Sequence, residues 1–432
     1  MSLKWFKKRG YRHFDNPVGQ DFAAKVPIPG FVTRNSFLPL IHYTKTEPRY
    51  RKSATTGKRE ITVKERPIKF ASHRDACILT YYAHILNERL DGFYKANGLS
   101  DSVLAYRALG RGNYHFAADA LAFSQKHAPV TILAFDISGF FDHLDHGLLK
   151  QRLKSVLGVT SLPEDWYRVF RFVTDFHYVD LVELKKHPAF SGRFKERTRN
   201  RIASVEELKT EGITFHPNPE LANGRKRGIP QGTPISAVAS NAYMIDFDLA
   251  ARTYCDGIGA LCRRYSDDIL VVCDVKDADA VETKISTLIS AEKLEISKHK
   301  TERVEFAGHS APVKGTKAAQ YLGFTFHEAG PAIRESSLAR QWRKLRRAIK
   351  RTKKVAKRQI AAGKAKKAFT KKLVKRFSYL TVYDGEGVRA VRNFSSYGRR
   401  SAAAFDQGER IRRQVKRFER AARREISDLQ KL

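Results

Sequence analysis

Three aspartates stand at the ends of apolar runs. Val130-Thr131-Ile132-Leu133-Ala134-Phe135 has the length and β-branched content of a buried strand and stops at Asp136, while Asp267-Asp268 precedes a second run, Ile269-Leu270-Val271-Val272-Cys273. A carboxylate beside buried apolar chain is costly unless it is paired or bound to a cation. Three of them brought together repel one another, and hard oxygen donors of this kind suit Mg²⁺, with Mn²⁺ as the alternative. Two such ions would clamp the attacking and leaving oxygens of an in-line phosphoryl transfer. Any one aspartate alone is more often a helix cap or a turn residue, so the joint context carries this reading.

The elements that must position these acids are legible around them. Strand, acid and helix, followed by strand, acids and strand, describe an α+β architecture with an antiparallel sheet. Arg66-Pro67-Ile68-Lys69-Phe70 reads as a further strand, and Asp75–Leu90 as a helix with Ile78, Tyr82, Ile85 and Leu86 at helical spacing. Residues 1–60 mix Trp5, Phe6, Tyr11 and Phe14 with basic residues and are interrupted by Pro17, Pro27, Pro29 and Pro39. An irregular extension packed on the body is expected there. Residues 61–335 form the expected body, and 336–432 a helical basic domain. In that domain Leu338, Trp342, Leu345 and Ile349 share one helix face, as do Ile411, Val415 and Phe418.

Lysine and arginine total 81 against 45 acids, a formal charge of +36 over 432 residues. Such an excess repels itself unless a polyanion neutralises it, and nucleic acid is the usual one. Arg343, Lys344, Arg346 and Arg347 are the candidates to bind it through phosphate charge. No apolar run approaches the roughly 20 residues needed to span a membrane. The basic amino terminus leads into no apolar signal segment. Cys77, Cys255, Cys262 and Cys273 lack metal-ligand spacing and read as reduced small hydrophobes of a cytoplasmic protein.

Five stretches in order resemble the palm motifs of reverse transcriptases. Phe135-Asp136-Ile137-Ser138-Gly139-Phe140-Phe141-Asp142 resembles the first, and Gly228-Ile229-Pro230-Gln231-Gly232-Thr233-Pro234-Ile235-Ser236, running on to Asn241, the second. Tyr265-Ser266-Asp267-Asp268 matches the third. Leu294-Glu295-Ile296 with Lys300-Thr301 resembles the fourth, and Tyr321-Leu322-Gly323-Phe324 the fifth. Each piece is weak alone; the family order over residues 66–325 is specific. The resemblance implies a right-hand polymerase fold of fingers, palm and helical thumb, with RNA as template, dNTPs as substrates and DNA as product.

The resemblance also implies roles. Asp136, Asp267, Asp268 and the carbonyl of Ile137 would hold two Mg²⁺ ions. Phe141 would exclude a 2′-hydroxyl by bulk, a core aromatic being the alternative. Gln231 and Gly232 would contact the incoming nucleotide, glycine permitting close approach. Lys300 would protonate the leaving pyrophosphate, and Tyr321, Leu322 and Gly323 would grip the primer end. Upstream, Arg66–Asp75 resembles a fingers motif of group II intron enzymes, and Tyr106-Arg107 sits where those have Phe-Arg. Arg66 and Arg107 are therefore candidates for the triphosphate, with structural ion pairing as the alternative for each.

Among subfamilies, the intact second motif differs from diversity-generating enzymes, and the retron elements and the intron endonuclease tail are not found. The chain most resembles stand-alone bacterial reverse transcriptases of antiphage defence that act with a noncoding RNA, including around Asn393-Phe394-Ser395-Ser396-Tyr397. A retron or intron-derived mobile-element enzyme, an RNA-dependent RNA polymerase and a non-catalytic nucleic-acid-binding protein on this scaffold are the competing readings. Primer, template identity and oligomeric state are not legible.

Overall fold

Two stretches rich in β-branched and aromatic residues form a long hairpin, β1 (Leu40–Lys52) and β2 (Arg59–Phe70), paired antiparallel from Ile41 opposite Phe70 outward. In the computed structural model the described residues are 3–52, 57, 59–196, 198, 200–297, 301–306, 318–327, 330–383 and 388–431. Cross-strand partners share a face, so Lys45, Glu47, Lys64 and Arg66 lie together on one side, and His42, Thr44, Pro67 and Lys69 on the other. The boundary expected at residue 60 therefore falls inside this hairpin. The prolines read as breakers all precede it, Pro39 standing immediately before the first residue of β1. Upstream residues do pack on the body, with Leu3, Trp5 and Phe6 against its main core.

Helix α1 (His73–Ala96) follows directly, its amino end capped by the Ser72 hydroxyl, which accepts from the Asp75 amide at 3.2 Å. The Asp15 carboxylate accepts from the His73 and Arg74 amides, both at 2.9 Å, so the lead-in segment also satisfies helix-end donors. Helix α2 (Asn113–Lys126) leads to β3 (Val130–Asp136).

The remaining strands are β4 (His177–Asp180), β5 (His216–Pro217), β6 (Leu261–Tyr265), β7 (Asp268–Asp274) and β8 (Glu302–Phe306). One sheet has the order β2-β1-β4-β5; the other is β6-β7-β3-β8, antiparallel throughout. The second is buried on both faces. Leu133, Phe135 and Val271 point into a core shared with α1, while Ile132, Leu270 and Val272 alternate to the opposite side.

That opposite side joins the sheet to the carboxy-terminal third. Strands β9 (Gln320–Tyr321), β10 (Phe324–His327) and β11 (Gly330–Ile333) form a small antiparallel sheet, after which the chain turns helical at α3 (Glu335–Ala361). Helices α4 (Lys371–Phe377), α5 (Phe394–Ala404) and α6 (Glu409–Gln430) complete it, with the short hairpin Thr381–Tyr383 and Val388–Ala390 between. Leu345 and Ile349 of α3 face Phe418 and Ala422 of α6, as the helical spacing predicted. Ile411 and Val415 continue into the core of Tyr321 and Phe324, so these helices are seated on the β6-β7-β3-β8 sheet. Among the described residues no helix is long and apolar enough to cross a membrane.

Candidate active site

Strands β3 and β7 bring two of the three acids side by side: Asp136 is the cross-strand partner of Asp268, at the end of the ladder. Asp267 occupies the two-residue turn between β6 and β7, and its carbonyl accepts from the Ile137 amide at 3.2 Å. Ser266, the other turn residue, has φ 63°, a conformation disfavoured for a side chain with a Cβ. Its hydroxyl is bonded to that of Tyr106 at 2.9 Å, one of the contacts that hold the turn.

A buried polar network lies beneath. Arg264 gives Nε and Nη2 to the two carboxylate oxygens of Asp248, and Nη1 to the Asn241 side-chain carbonyl at 3.1 Å and the Ser266 backbone carbonyl at 3.2 Å. Asn241 in turn donates to the Ala105 carbonyl at 2.9 Å. The Asn241 that ends the second motif is thus a structural partner of Arg264, which in turn holds the turn. Arg264 and Asp248 were missed in the sequence; the signal available was an arginine next to Tyr265, which residue type alone does not distinguish from a surface cation.

Burial raises the Asp267 carboxyl above its ordinary range; the charge of Asp136 raises it further, and Lys64 of β2 opposes the rise. Lys64 is a second omission, brought within electrostatic reach of Asp267 by the fold of the hairpin. Hard oxygens that repel each other at one strand end fit a divalent cation, and Asp136, Asp267 and Asp268 are the residues that would hold it. In the ladder facing Glu295–Ser297, the Asp136 carbonyl accepts from Ser297 and the Ser138 amide donates to Glu295, each at 2.8 Å. That pattern leaves the intervening Ile137 carbonyl outside the ladder. Among the described residues no three His, Cys, Asp or Glu side chains are already gathered as a metal cage. The acids are strand-end neighbours.

The second motif is laced to the first. Ile229 donates to the Phe141 carbonyl at 2.8 Å, and the half-buried Phe141 ring meets Phe140 with centroids 5.5 Å apart. Gln231 accepts from the Lys69 amide at 2.8 Å. Gly232 has φ 121°, and a Cβ there would lie 2.8 Å from the Lys69 carbonyl. Strand β2 thus makes a close approach that requires glycine here.

The two candidate arginines separate. Arg66 lies on the same hairpin face as Lys64 and donates to Glu47 at 3.0 Å. The Arg107 side chain is 2 % exposed; it donates to Asp91 at 2.6 Å and to the Ser100 and Val103 carbonyls, and covers the Tyr94 ring. In this structure it is an internal tie, the structural pairing that was the alternative for this residue. Lys300 lies outside the described residues.

Leu322 and Gly323, both with positive φ, form the tight turn between β9 and β10, while the Tyr321 side chain is only 5 % exposed. Of the expected primer grip, the half-buried turn is tied internally, the Leu322 carbonyl accepting from the Asn113 side chain at 2.8 Å and the Gly323 carbonyl from the Arg334 amide at 2.9 Å, and the tyrosine belongs to the core. This turn opens onto a cavity of about 670 Å³ lined also by Arg340, Lys344, Lys375, Arg376 and Arg392. On α3, Lys344, Arg346 and Arg347 are exposed and Arg343 is half-buried.

Residues 58–326 match the family model described as reverse transcriptase (RNA-dependent DNA polymerase). The chain belongs to the reverse transcriptase family. No curated protein matches it in sequence. Among solved structures it is similar to Candida albicans telomerase in complex with a fragment of telomeric RNA, at 14% identity and TM-score 0.40, over 73% of this chain and 49% of that one. It is also similar to apo telomerase of Candida tropicalis truncated from its C-terminal domain, at 14% identity and TM-score 0.41, over 66% and 53%. A further apo structure of Candida tropicalis telomerase matches at 11% identity and TM-score 0.39, over 67% and 46%. The chain spans about half the length of these telomerase chains.

Proposed function

We propose that this chain is an RNA-directed DNA polymerase that joins dNTPs to a primer end at Asp136, Asp267 and Asp268. The observation that carries the reading is the pairing of Asp136 with Asp268, beside the Asp267 turn, within the stretch that matches the family. A divalent cation there, Mg²⁺ by the chemistry of the donors with Mn²⁺ as the alternative, would supply charge stabilisation to the transferring phosphoryl group. The protein's own contribution is placement: the buried Arg264 network sets the turn, and the Phe141–Ile229 bond sets the ring of Phe141 beside the second motif. On this reading Phe141 excludes the 2′-hydroxyl, Gln231 and Arg66 with Lys64 meet the nucleotide, and the Leu322-Gly323 turn supports the primer.

For the biology, the reading is a cytoplasmic bacterial enzyme of antiphage defence working with a noncoding RNA. Support comes from the motif resemblance and from the exposed cations of α3. The test is primer extension on an RNA template with the purified chain, followed by sequencing of the RNA and DNA that co-purify with it. Absence of templated DNA synthesis would remove the catalytic reading, and co-purified nucleic acid of random origin would remove the dedicated RNA.

A further inference from the structure

The Glu47 carboxylate on β1 is met by cations from three elements. Lys45 of the same strand places Nζ 3.4 Å from Oε1; Arg66 of β2 donates Nη1 to Oε2 at 3.0 Å; Arg340 of α3 brings Nη2 to 3.8 Å from Oε2. One carboxylate thus joins the fingers hairpin to the first helix of the basic domain. The helix end of this bridge reaches the candidate site. Arg340 lines the cavity that opens at the Leu322-Gly323 turn.

Cations converging from separate elements on one pair of oxygens are the geometry of an anion site, and the guanidinium fork suits phosphate as well as carboxylate. Here the anion comes from the chain itself. Its hold is weak, because Lys45 and Arg340 are each 55% exposed and exposed ion pairs shift an equilibrium by at most about five-fold. A phosphate group, with more charge and more oxygens, competes well against a single carboxylate.

We propose that Lys45, Arg66 and Arg340 form a phosphate-binding site that Glu47 fills in the free chain, closing hairpin and helix together until a phosphate displaces it. The proposal rests on the reading of Arg66 as facing substrate. The phosphate has two sources, the triphosphate of the incoming nucleotide or the backbone of a bound strand, and the chemistry is shared.

The experiment uses the full chain with Val63→Cys and Lys353→Cys carrying a donor and an acceptor dye. Val63 is 55% exposed on the hairpin face away from Glu47, Lys353 is exposed on α3, and the four native cysteines are buried. Glu47→Gln is expected to lower energy transfer in the free chain, as is adding a primer–template duplex or a dNTP to the unsubstituted protein. Glu47→Gln is further expected to tighten phosphate binding two- to five-fold by removing the internal competitor, in the range of exposed ion pairs. Tighter duplex binding at unchanged KM for dNTP assigns the site to the strand; lower KM for dNTP at unchanged duplex affinity assigns it to the triphosphate. Unchanged energy transfer, or unchanged or weaker affinity for both ligands, overturns the proposal. Energy transfer and duplex affinity do not require synthesis, so an inactive chain that still shows the Glu47 effect removes the polymerase reading and leaves this one standing.

Discussion

Arg264 and Asp248 face each other as a buried bidentate pair, two nitrogens each 2.6 Å from a carboxylate oxygen and both side chains 2 % exposed. The remaining guanidinium nitrogen reaches Asn241 and the Ser266 carbonyl, so the pair fixes the turn that carries Asp267. Removing one partner leaves an uncompensated buried charge, which costs about 3–5 kcal/mol. Arg264→Met is therefore expected to lower unfolding free energy by that order in denaturant titration. Asp248→Leu combined with Arg264→Met should recover much of the stability but not the activity, because the turn loses its hydrogen bonds. A double variant as active as the original protein would show that the pair does not position Asp267.

Replacing Asp267 and Asp268 together by Ala is expected to abolish templated synthesis while leaving the fold and RNA affinity near their original values. Loss of a metal clamp removes several kcal/mol of transition-state stabilisation, which is several powers of ten in rate. Single-turnover extension across a divalent-cation series checks it, and undiminished synthesis would remove the central claim.

Much of the site was legible because its motifs are local. The ends of β3 and β7 can be read from the largely apolar runs Val130–Phe135 and Ile269–Cys273, and their pairing follows from the family order. What escaped was set by contacts distant in sequence. Lys64 reaches Asp267 only once the hairpin folds, and Arg107 turns inward only because Asp91, Ser100 and Val103 surround it. Asn393 and Ser396, singled out by resemblance, cap α5 reciprocally at 3.0 Å. Their local chemistry is that of a helix start.

Phe141→Ala is expected to raise the efficiency of ribonucleotide relative to deoxyribonucleotide incorporation, since the half-buried ring sits beside the second motif through the bond from Ile229. The check is kcat/KM for matched nucleotide pairs in both proteins. An unchanged ratio together with a fall in stability of about 3–5 kcal/mol would place the ring in the core.

Burial raises the Asp75 carboxyl from 3.8 to about 6, although the Leu38 amide, Ser72 and the Asn35 side chain all favour its charged form. The folded chain therefore binds this proton more tightly than the unfolded chain. The resulting stabilisation is complete below the ordinary carboxylate value and is lost as pH rises through about 6. Unfolding free energy measured across that window should fall by on the order of 1–3 kcal/mol from this group, and Asp75→Asn should flatten that part of the profile. An identical slope in the variant would assign the pH dependence elsewhere.

The stretch 344–351 of α3 differs from the body of the chain in how its charge is balanced. In the body, Arg152, Arg193, Arg225, Arg227 and Arg252 each meet an acid within 3.5 Å. Among the described residues no ion pair engages Lys344, Arg346, Arg347, Lys350 or Arg351 of α3, and Arg343 is half-buried beside them. A face so uniformly positive repels itself until a polyanion arrives, so RNA affinity should carry a steep counterion-release slope. A fall on the order of tenfold or more between about 50 and 200 mM salt is expected for several phosphate contacts. Charge-neutralising Arg343, Lys344, Arg346 and Arg347 should flatten that slope and shorten extension products while leaving the divalent-cation dependence of the first addition unchanged. The deciding measurement is RNA affinity across a salt series for both proteins. Equal slopes would mean that α3 holds something other than RNA, and a changed cation dependence would mean that these residues act on the catalytic acids.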